Sequence, residues 1–521
     1  MFVVTSVAFG ALAAGRVRVY LATGYDLGIF DQAVQHYAAF QTPLIPLKGV
    51  AYSIWGDHFH PIIALWAPLY WVWDDVRALV VGQAIVVAAT VFPLWRFVRR
   101  RWGESVWARA FVVLVVWAWP LAHLITFDVH EIAFAVPILA WALDALDRRH
   151  APALAVSCGA LLLVREDMGV LVFMIGAVWL LWHGRGRRTR ADWVVGGALM
   201  AGGLVVFALV TTWIIPHFAQ DGYAYWDYPS LGDSPKAALI TLVTRPWTVV
   251  ADLFWPAFKA RTWLLLLAPV GFLALRSPYA LVALPIMAER MLAGRENLWS
   301  PAFHYDAPVW IIVAIAAVDG YRRLPARWRP GLAVLSPFAA AAAALLVWTW
   351  LYLLHHVPVD AAIMFALLVG VAGIAWYPWR GWTWLRPLAV ALCALAVGAT
   401  LWTQAVVDVR RALPVVAAKD ALRAFVPADT CVVADNSLAP AFTHTNRTTE
   451  AGIPMPRADF YVLDFGRQFA TLDPLFWTPK RAYDDAVAHG FAEVYRAAQF
   501  VVLQAPDYAG PDPLICGPLA P

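Results

Sequence analysis

Apolar residues in this chain come in blocks of roughly 14 to 24, divided by short polar or basic interruptions, and blocks of that length cross or nearly cross the hydrocarbon of a bilayer. Soluble helices keep their apolar residues in stripes on one face instead. Charged residues make up 14% of the chain, against roughly 25% in soluble domains. The sequence is therefore read as an integral membrane protein. Its 29 tryptophans suit membrane–water interfaces, and its 36 prolines are easier to accommodate within or between membrane helices than in soluble ones. The net charge of +4 is no sign of nucleic-acid binding, because the basic residues sit in short clusters between apolar blocks, where they set orientation.

Those clusters are Arg96 with Arg99–Arg101, Arg148 to His150, Arg185 to Arg190, Arg322 to Arg329, and Arg380 to Arg386. If all face the cytoplasm, an even number of spans separates neighbouring clusters. The polar interruptions Phe127–Glu131 and Arg165–Asp167 then fall at the opposite, outer face. Extending this parity predicts about thirteen membrane helices, with a cytoplasmic N-terminus and outer loops at 16–77 and 217–261. Within the first loop, Pro61–Trp73 reads as an interfacial helix. Ala11-Leu12-Ala13 looks like a leader cleavage site, but no basic residues precede it, so Met1–Ala14 is read as part of the first span.

Residues 1–405 thus form a polytopic membrane domain, and 406–521 are polar enough for a small extracytoplasmic α/β domain. Thr430–Ala434, Phe460–Leu463 and Phe500–Leu503 read as buried strands; Asp420–Phe425 and Asp484–Tyr495 read as helices. Cys158 and Cys393 lie in apolar blocks. Cys431 and Cys516 lie in the exported tail, an oxidising compartment, and are expected to pair.

The conspicuous ionisable motifs all map to the outer face: Tyr25–Gln32 with Asp26 and Asp31, Gly56–Pro61 with Asp57, His58 and His60, then Asp128/His130/Glu131, Arg165/Glu166/Asp167, Arg295, and His304/Tyr305/Asp306. Ionisable groups at membrane level are costly and mark functional sites. Contributed by different spans, these point to a shared outward cavity. Blander readings stand beside this one. Asp26 can cap the helix that follows. Asp57, His58 and His60 can be an interfacial cluster or half of a metal site. Glu166 and Arg165 can be a buried structural pair. The sequon at Asn446 is read as chance.

The order YDLGIFDQ, GDHFHP, FDVHE, REDMG, FHYDAP, followed by VPADTCVVADNSLAPAFTHTNR and ADFYVLDF, closely resembles a bacterial family of membrane proteins catalogued as domain of unknown function twenty seventy-nine. The family usually has Phe where Val129 stands and Lys where Arg165 stands. It is itself similar to the GT-C glycosyltransferases. That resemblance implies a GT-C-like enzyme of the bacterial plasma membrane. It would move a sugar from a polyprenyl-phosphate donor to a glycan or protein acceptor of the cell envelope. It also implies that Asp26, soon after the first span, takes the acceptor proton, with Asp31 in reserve. A departing phosphate needs cations or a divalent metal, and Arg165, Arg295 or His304 suits that task. A base of this kind should be partly buried and lack a bidentate arginine. Gly28 is expected to let substrate approach the backbone closely. The competing reading is a transporter or flippase of a lipid-linked saccharide. Against it, no internal repeat is evident, and the charges gather on one face.

Overall fold

The computed structural model describes residues 1–49, 51–182, 188–219, 225–325, 408–455, 457–466 and 477–512. The expected spans Leu332–Leu354, Ala361–Trp376 and Pro387–Gln404, the domain boundary at 405/406, and Cys516 lie outside them. Three described helices are long and apolar enough to cross a membrane: Arg77–Trp102, Ala108–Thr126 and Arg190–Phe218. They coincide with blocks the hydropathy pattern predicts. Other expected spans are short or broken. Trp263–Leu275, for example, divides between the helix Ala257–Leu267 and two 3-10 turns, Ala268–Val270 and Leu273–Arg276. The total of about thirteen is not decided by these elements.

The N-terminal helix α1 (Phe2–Arg18) leads through a π-helical turn, Gly24–Gly28, into α2 (Ile29–Ala38). The predicted interfacial helix is a 3-10 turn, Pro61–Trp66, running into α3 (Ala67–Val72). Next, α4 (Arg77–Ala88) and α5 (Val91–Trp102) make one rod of 26 residues, roughly 39 Å at 1.5 Å per residue. They are followed by α6 (Val106–Val116), α7 (Trp119–Thr126) and α8 (Ile132–Asp147). The last three labelled helices are α9 (Ala151–Leu161), α10 (Met168–Leu181) and α11 (Arg190–Leu209). A final described helix of this part is Asp306–Arg322.

α10 and α11 pack side by side. A Cβ built on Gly169 would sit 2.5 Å from the Gly203 carbonyl oxygen, and one on Gly176 would sit 2.8 Å from that of Gly196. Glycine at these positions lets the two backbones meet, the usual way helices associate where lipid removes the hydrophobic drive. The long helix that contains α11 has only 17% of its apolar window buried, and it exposes Val194, Leu204, Val205 and Trp213. An apolar surface of that extent is a lipid-facing one.

The rod fixes two ends. Near its start Gln83 donates to the carbonyls of Leu124 and Asp128 and accepts from the His130 N–H. Near its finish Arg96, Arg100 and Arg101 reach Asp144 and Asp147 at the far end of α8. Asp306 and Asp319 bracket the helix Asp306–Arg322 in the same sense, Asp319 pairing with Arg323 and lying 3.5 Å from Arg101. The arginine-rich end is the one read from sequence as cytoplasmic.

The C-terminal part holds a five-stranded sheet, order β2-β1-β3-β5-β4. Its strands are β1 (Cys431–Ala434), β2 (Arg447–Glu450), β3 (Phe460–Asp464), β4 (Ala492–Ala497) and β5 (Phe500–Gln504). β1 runs parallel to β2 and β3, and β5 antiparallel to β3 and β4. Strand alternation splits its side chains between two faces. Val433, Leu463, Val501 and Leu503 cover Ala482 and Ala486 of the helix Pro479–Ala488. Val432, Val462 and Val502 face the other way and join the main core with Leu422 and Val426. The helix expected over Asp484–Tyr495 therefore ends early. Gly490, at φ +86, turns the chain after Ala488, and Ala492–Ala497 is an edge strand.

Candidate active site

Asp26 sits in the π-helical turn directly before α2. Isolated π-turns recur at functional sites because they re-aim a side chain within a helix. The carboxylate is a quarter exposed, and its nearest charged or titratable partner is His130 Nε2 at 3.8 Å. Among the described residues no arginine pairs with it. Burial, together with the nearby Asp128 and Glu131 charges, pushes its affinity for a proton well above the ordinary carboxylate range; Lys48 pulls more weakly the other way.

Asp128 is tied to the same turn. It adopts φ +58, and its Oδ2 accepts from the Thr23 N–H at 2.7 Å and the Thr23 hydroxyl at 2.8 Å. Burial raises it to about 6 despite those bonds. The His130 ring stacks on His304 with centroids 3.5 Å apart, and Phe127 and Tyr305 extend the aromatic wall. His60 lies across Phe30 from His130. His60 Nδ1, His130 Nε2 and His304 Nδ1 are buried and have no hydrogen-bond partner among the described residues. Burial holds His60 and His130 down at about 3, with His58 adding to the effect on the first and Arg165 on the second. His304 is lowered in the same way, by burial and then His130. These rings are neutral at physiological pH and offer hydrogen bonds rather than charge.

The remaining motif residues are paired. Lys48 Nζ lies 2.6 Å from Asp57 Oδ1, and Tyr225 also donates to Asp57. Lys48 overcomes burial and holds Asp57 below the ordinary carboxylate range. His58 Nδ1 meets Glu166 Oε1 at 2.6 Å, the Phe59 N–H donates to the other Glu166 oxygen, and Tyr225 stacks on His58. Glu166 raises the His58 pKa against the opposing effect of burial. Arg165 donates twice to Asp167, at 2.9 and 2.6 Å, and lies 3.2 Å from Glu131. Arg295 is different: it is 43% exposed, lies 3.3 Å from Asp227, and sets its guanidinium over the Tyr225 ring, 5.6 Å from the ring centre. Asp306 is fully buried against Arg290 at 2.7 Å.

Asp31, five residues after Asp26, faces elsewhere. It is fully buried and accepts from Tyr70 at 2.6 Å, from Thr443 at 2.6 Å and from His444 at 2.8 Å. It joins the first loop to the C-terminal domain and does not share Asp26's opening. Gly28 also departs from expectation. A Cβ there would meet Leu47 at 2.6 Å and Thr443 at 3.2 Å, so protein fills the space reserved for substrate.

Sequence reasoning passed over Lys48, Tyr225, Gln83, Thr23 and Asn436. Lys48 stood out weakly as a lone cation in an apolar stretch nine residues before Asp57. Asn436 lies just past the C-terminal end of β1, where open α/β sheets place their functional loops. Among the described residues no three His, Cys, Asp or Glu side chains converge as a metal-binding group, so the half-site at Asp57, His58 and His60 is not completed. Cys431 is disulfide-bonded; its pairing with Cys516 lies outside the described residues.

The fold resembles two solved structures of ArnT from Cupriavidus metallidurans. For the one bound to undecaprenyl phosphate the TM-score is 0.54 at 15% identity, covering 97% of this chain and 99% of that one. For the apo state it is 0.52 at 15% identity, covering 99% of each. At this identity the likeness shows a shared fold. No curated protein matches the sequence. The family described as predicted membrane protein (DUF2079) matches residues 17–391, which takes in the acidic motifs of the first loops and stops before the C-terminal sheet; by that match the chain is a membrane protein and belongs to this family.

Proposed function

We propose that this protein is a membrane glycosyltransferase. It moves a sugar from a polyprenyl-phosphate donor to a cell-envelope acceptor at the outer face of the bacterial plasma membrane, with Asp26 as the general base. The observation that carries the reading is the state of Asp26: a reachable carboxylate of raised proton affinity, with no arginine partner among the described residues. Such a group takes a proton at neutral pH more readily than an ordinary aspartate. The fold shared with ArnT, one of whose structures is bound to undecaprenyl phosphate, supports a lipid-linked donor.

In this mechanism the acceptor hydroxyl lies against Asp26. Its oxygen attacks the anomeric carbon as its proton passes to the carboxylate. The bond from that carbon to the phosphate oxygen breaks, and polyprenyl phosphate leaves with the electron pair. The neutral His130 and His304 rings, each with one nitrogen unpartnered among the described residues and flanked by Phe127 and Tyr305, suit a sugar face and its hydroxyls better than an anion. Arg165 is already neutralised by Asp167 and Glu131, so it acts as a positioning residue. Arg295, half exposed and held by one exchangeable pair, is assigned to the donor phosphate. No set of metal ligands converges among the described residues, and no step is routed through a metal.

The test is a deletion strain compared with its parent by mass spectrometry of envelope glycans and polyprenyl-phosphate sugars. The proposal expects a missing glycan substituent and an accumulated lipid-linked sugar, both reversed by the intact gene. Unchanged glycans and lipids would overturn it.

A further inference from the structure

We infer that the C-terminal domain sets the position of the Asp26 carboxylate, with Asn436 as the positioning residue. This rests on the assignment of Asp26 as the base.

The first N–H groups of any helical turn lack a partner within it. In the turn Gly24–Gly28 the preceding residue, Thr23, supplies no side-chain cap; its hydroxyl donates to Asp128 instead. The two leading donors are taken up from another part of the chain. The Gly24 N–H donates to the Asn436 carbonyl at 2.8 Å, and the Tyr25 N–H to Asn436 Oδ1, also at 2.8 Å. Asn436 therefore caps, from more than four hundred residues away, the two residues that precede Asp26.

The approach is close enough to dictate sequence. A Cβ on Gly24 would lie 2.7 Å from Ala439 Cβ and 3.2 Å from Asn436 Oδ1. Beyond the turn the same domain takes hold again. Thr443 and His444 donate to Asp31, Gln35 donates to the Thr443 carbonyl, and Gln32 donates to that of Thr448. Asn436 itself stands on a rigid support: the Asp435 N–H bonds the Val462 carbonyl, and the Ser437 hydroxyl bonds Asp464. The turn is clamped at both ends by a body whose sheet is continuous with the main core. A catalytic carboxylate held in this way stays within the few tenths of an ångström that proton transfer requires.

The groups that set the ionisation of Asp26 surround it from separate elements. Thr23 lies on its own loop, Lys48 on the first outer loop, Asp128, His130 and Glu131 before α8, and Tyr305 before the helix Asp306–Arg322. Displacing the turn changes its distance to all of them.

The full-length protein in lipid nanodiscs is labelled with a hydrophobic carbodiimide, which reacts with protonated carboxyl groups, and modification of Asp26 is read by peptide mass spectrometry. Loss of the mark in Asp26→Asn identifies it. Asn436→Ala should slow labelling of Asp26 at pH 7 by about tenfold, as the turn relaxes toward water and the acid becomes easier to ionise. Asn436→Asp, which keeps the acceptor oxygen, should stay within about twofold of the parent or exceed it. Gly24→Ala, which displaces the turn without removing a hydrogen bond, should slow labelling like Asn436→Ala and serves if that variant does not fold. Asp420→Ala is the control. It breaks the Arg18 and Tyr20 contacts to the same domain away from the turn, so it should lower thermal stability and leave labelling unchanged. Unchanged labelling in both Asn436→Ala and Gly24→Ala, or an equal loss in Asp420→Ala, overturns the inference. Labelling does not depend on sugar transfer. If the glycosyltransferase reading fails, this outcome still reports separately on the clamp.

Discussion

The two ends of the rod Arg77–Trp102 differ in what they leave unpaired. At the arginine-rich end Asp144 is fully buried and receives Arg96, Arg100 and Arg148, while Asp147 receives Arg100, Arg101 and the Tyr279 hydroxyl. Asp319 is satisfied by Arg323 and Ser277. At the other end Asp31, Asp57, Asp167 and Asp306 are paired too, but Asp26 keeps its raised proton affinity, and a ring nitrogen each of His60, His130 and His304 is buried with no hydrogen-bond partner among the described residues. Buried polar groups are ordinarily satisfied, and proteins leave them unsatisfied where function needs an unused donor, acceptor or base. One end holds the helices together; the other keeps its chemistry in reserve.

That contrast can be broken most forcefully at Asp144. Asp144→Leu would leave three arginines converging on an apolar side chain, and it should cost about 3–5 kcal/mol, read by reversible unfolding in mixed micelles. A cost near zero would remove the clamp from the account. A smaller effect is expected at the joint to the C-terminal domain, where Asp31 and Asp74 hold His444 protonated up to about 9 against the opposing effect of burial. The folded pKa lies above the unfolded value, so this stabilisation is fully present below about pH 6.5 and is lost as pH rises through about 9. Asp74 is largely exposed, which reduces the loss to roughly 2 kcal/mol. The protection factor of the strand Arg447–Glu450 against hydrogen exchange, taken relative to the intrinsic rate at each pH, should fall over that window in the parent and stay level in His444→Gln. Smallest of all is Arg295→Ala. Its half-exposed pair is worth less than about 1 kcal/mol, so stability should hold while affinity for a polyprenyl phosphate falls. Unaltered binding would free Arg295 from the phosphate role.

How far the sequence could be read differs between these regions for physical reasons. Three of the long apolar blocks and the runs at Cys431–Ala434, Phe460–Asp464 and Phe500–Gln504 are local signals that match the structure. Arg447–Glu450 is polar throughout, and Ala492–Ala497 is an exposed edge with good helix formers, so pairing with neighbouring strands, not local pattern, makes them strands. At the site the motifs were legible, but their division of labour was not. Asp26 and Asp31 share one octapeptide. They differ because Thr443 and His444, about 412 residues further on, close over Asp31 and leave Asp26 open. Arg165 was legible as a cation beside the acidic motifs. That Asp167 and Glu131 both neutralise it depends on the packing of α8 against the turn before α10.

As the proposed general base, Asp26 trades stability for basicity. Its folded proton affinity lies above the unfolded one, so its stabilising contribution is present at acid pH and is lost as the pH rises toward the folded pKa. Asp26→Asn removes the buried charge and keeps the size. The direct measurement is paired: thermal stability of the purified variant at pH 7.5, and the ability of the same variant to restore the missing glycan in the deletion strain. The account predicts a melting temperature at or above that of the parent together with no restored glycan. Full restoration of the glycan by Asp26→Asn would contradict it.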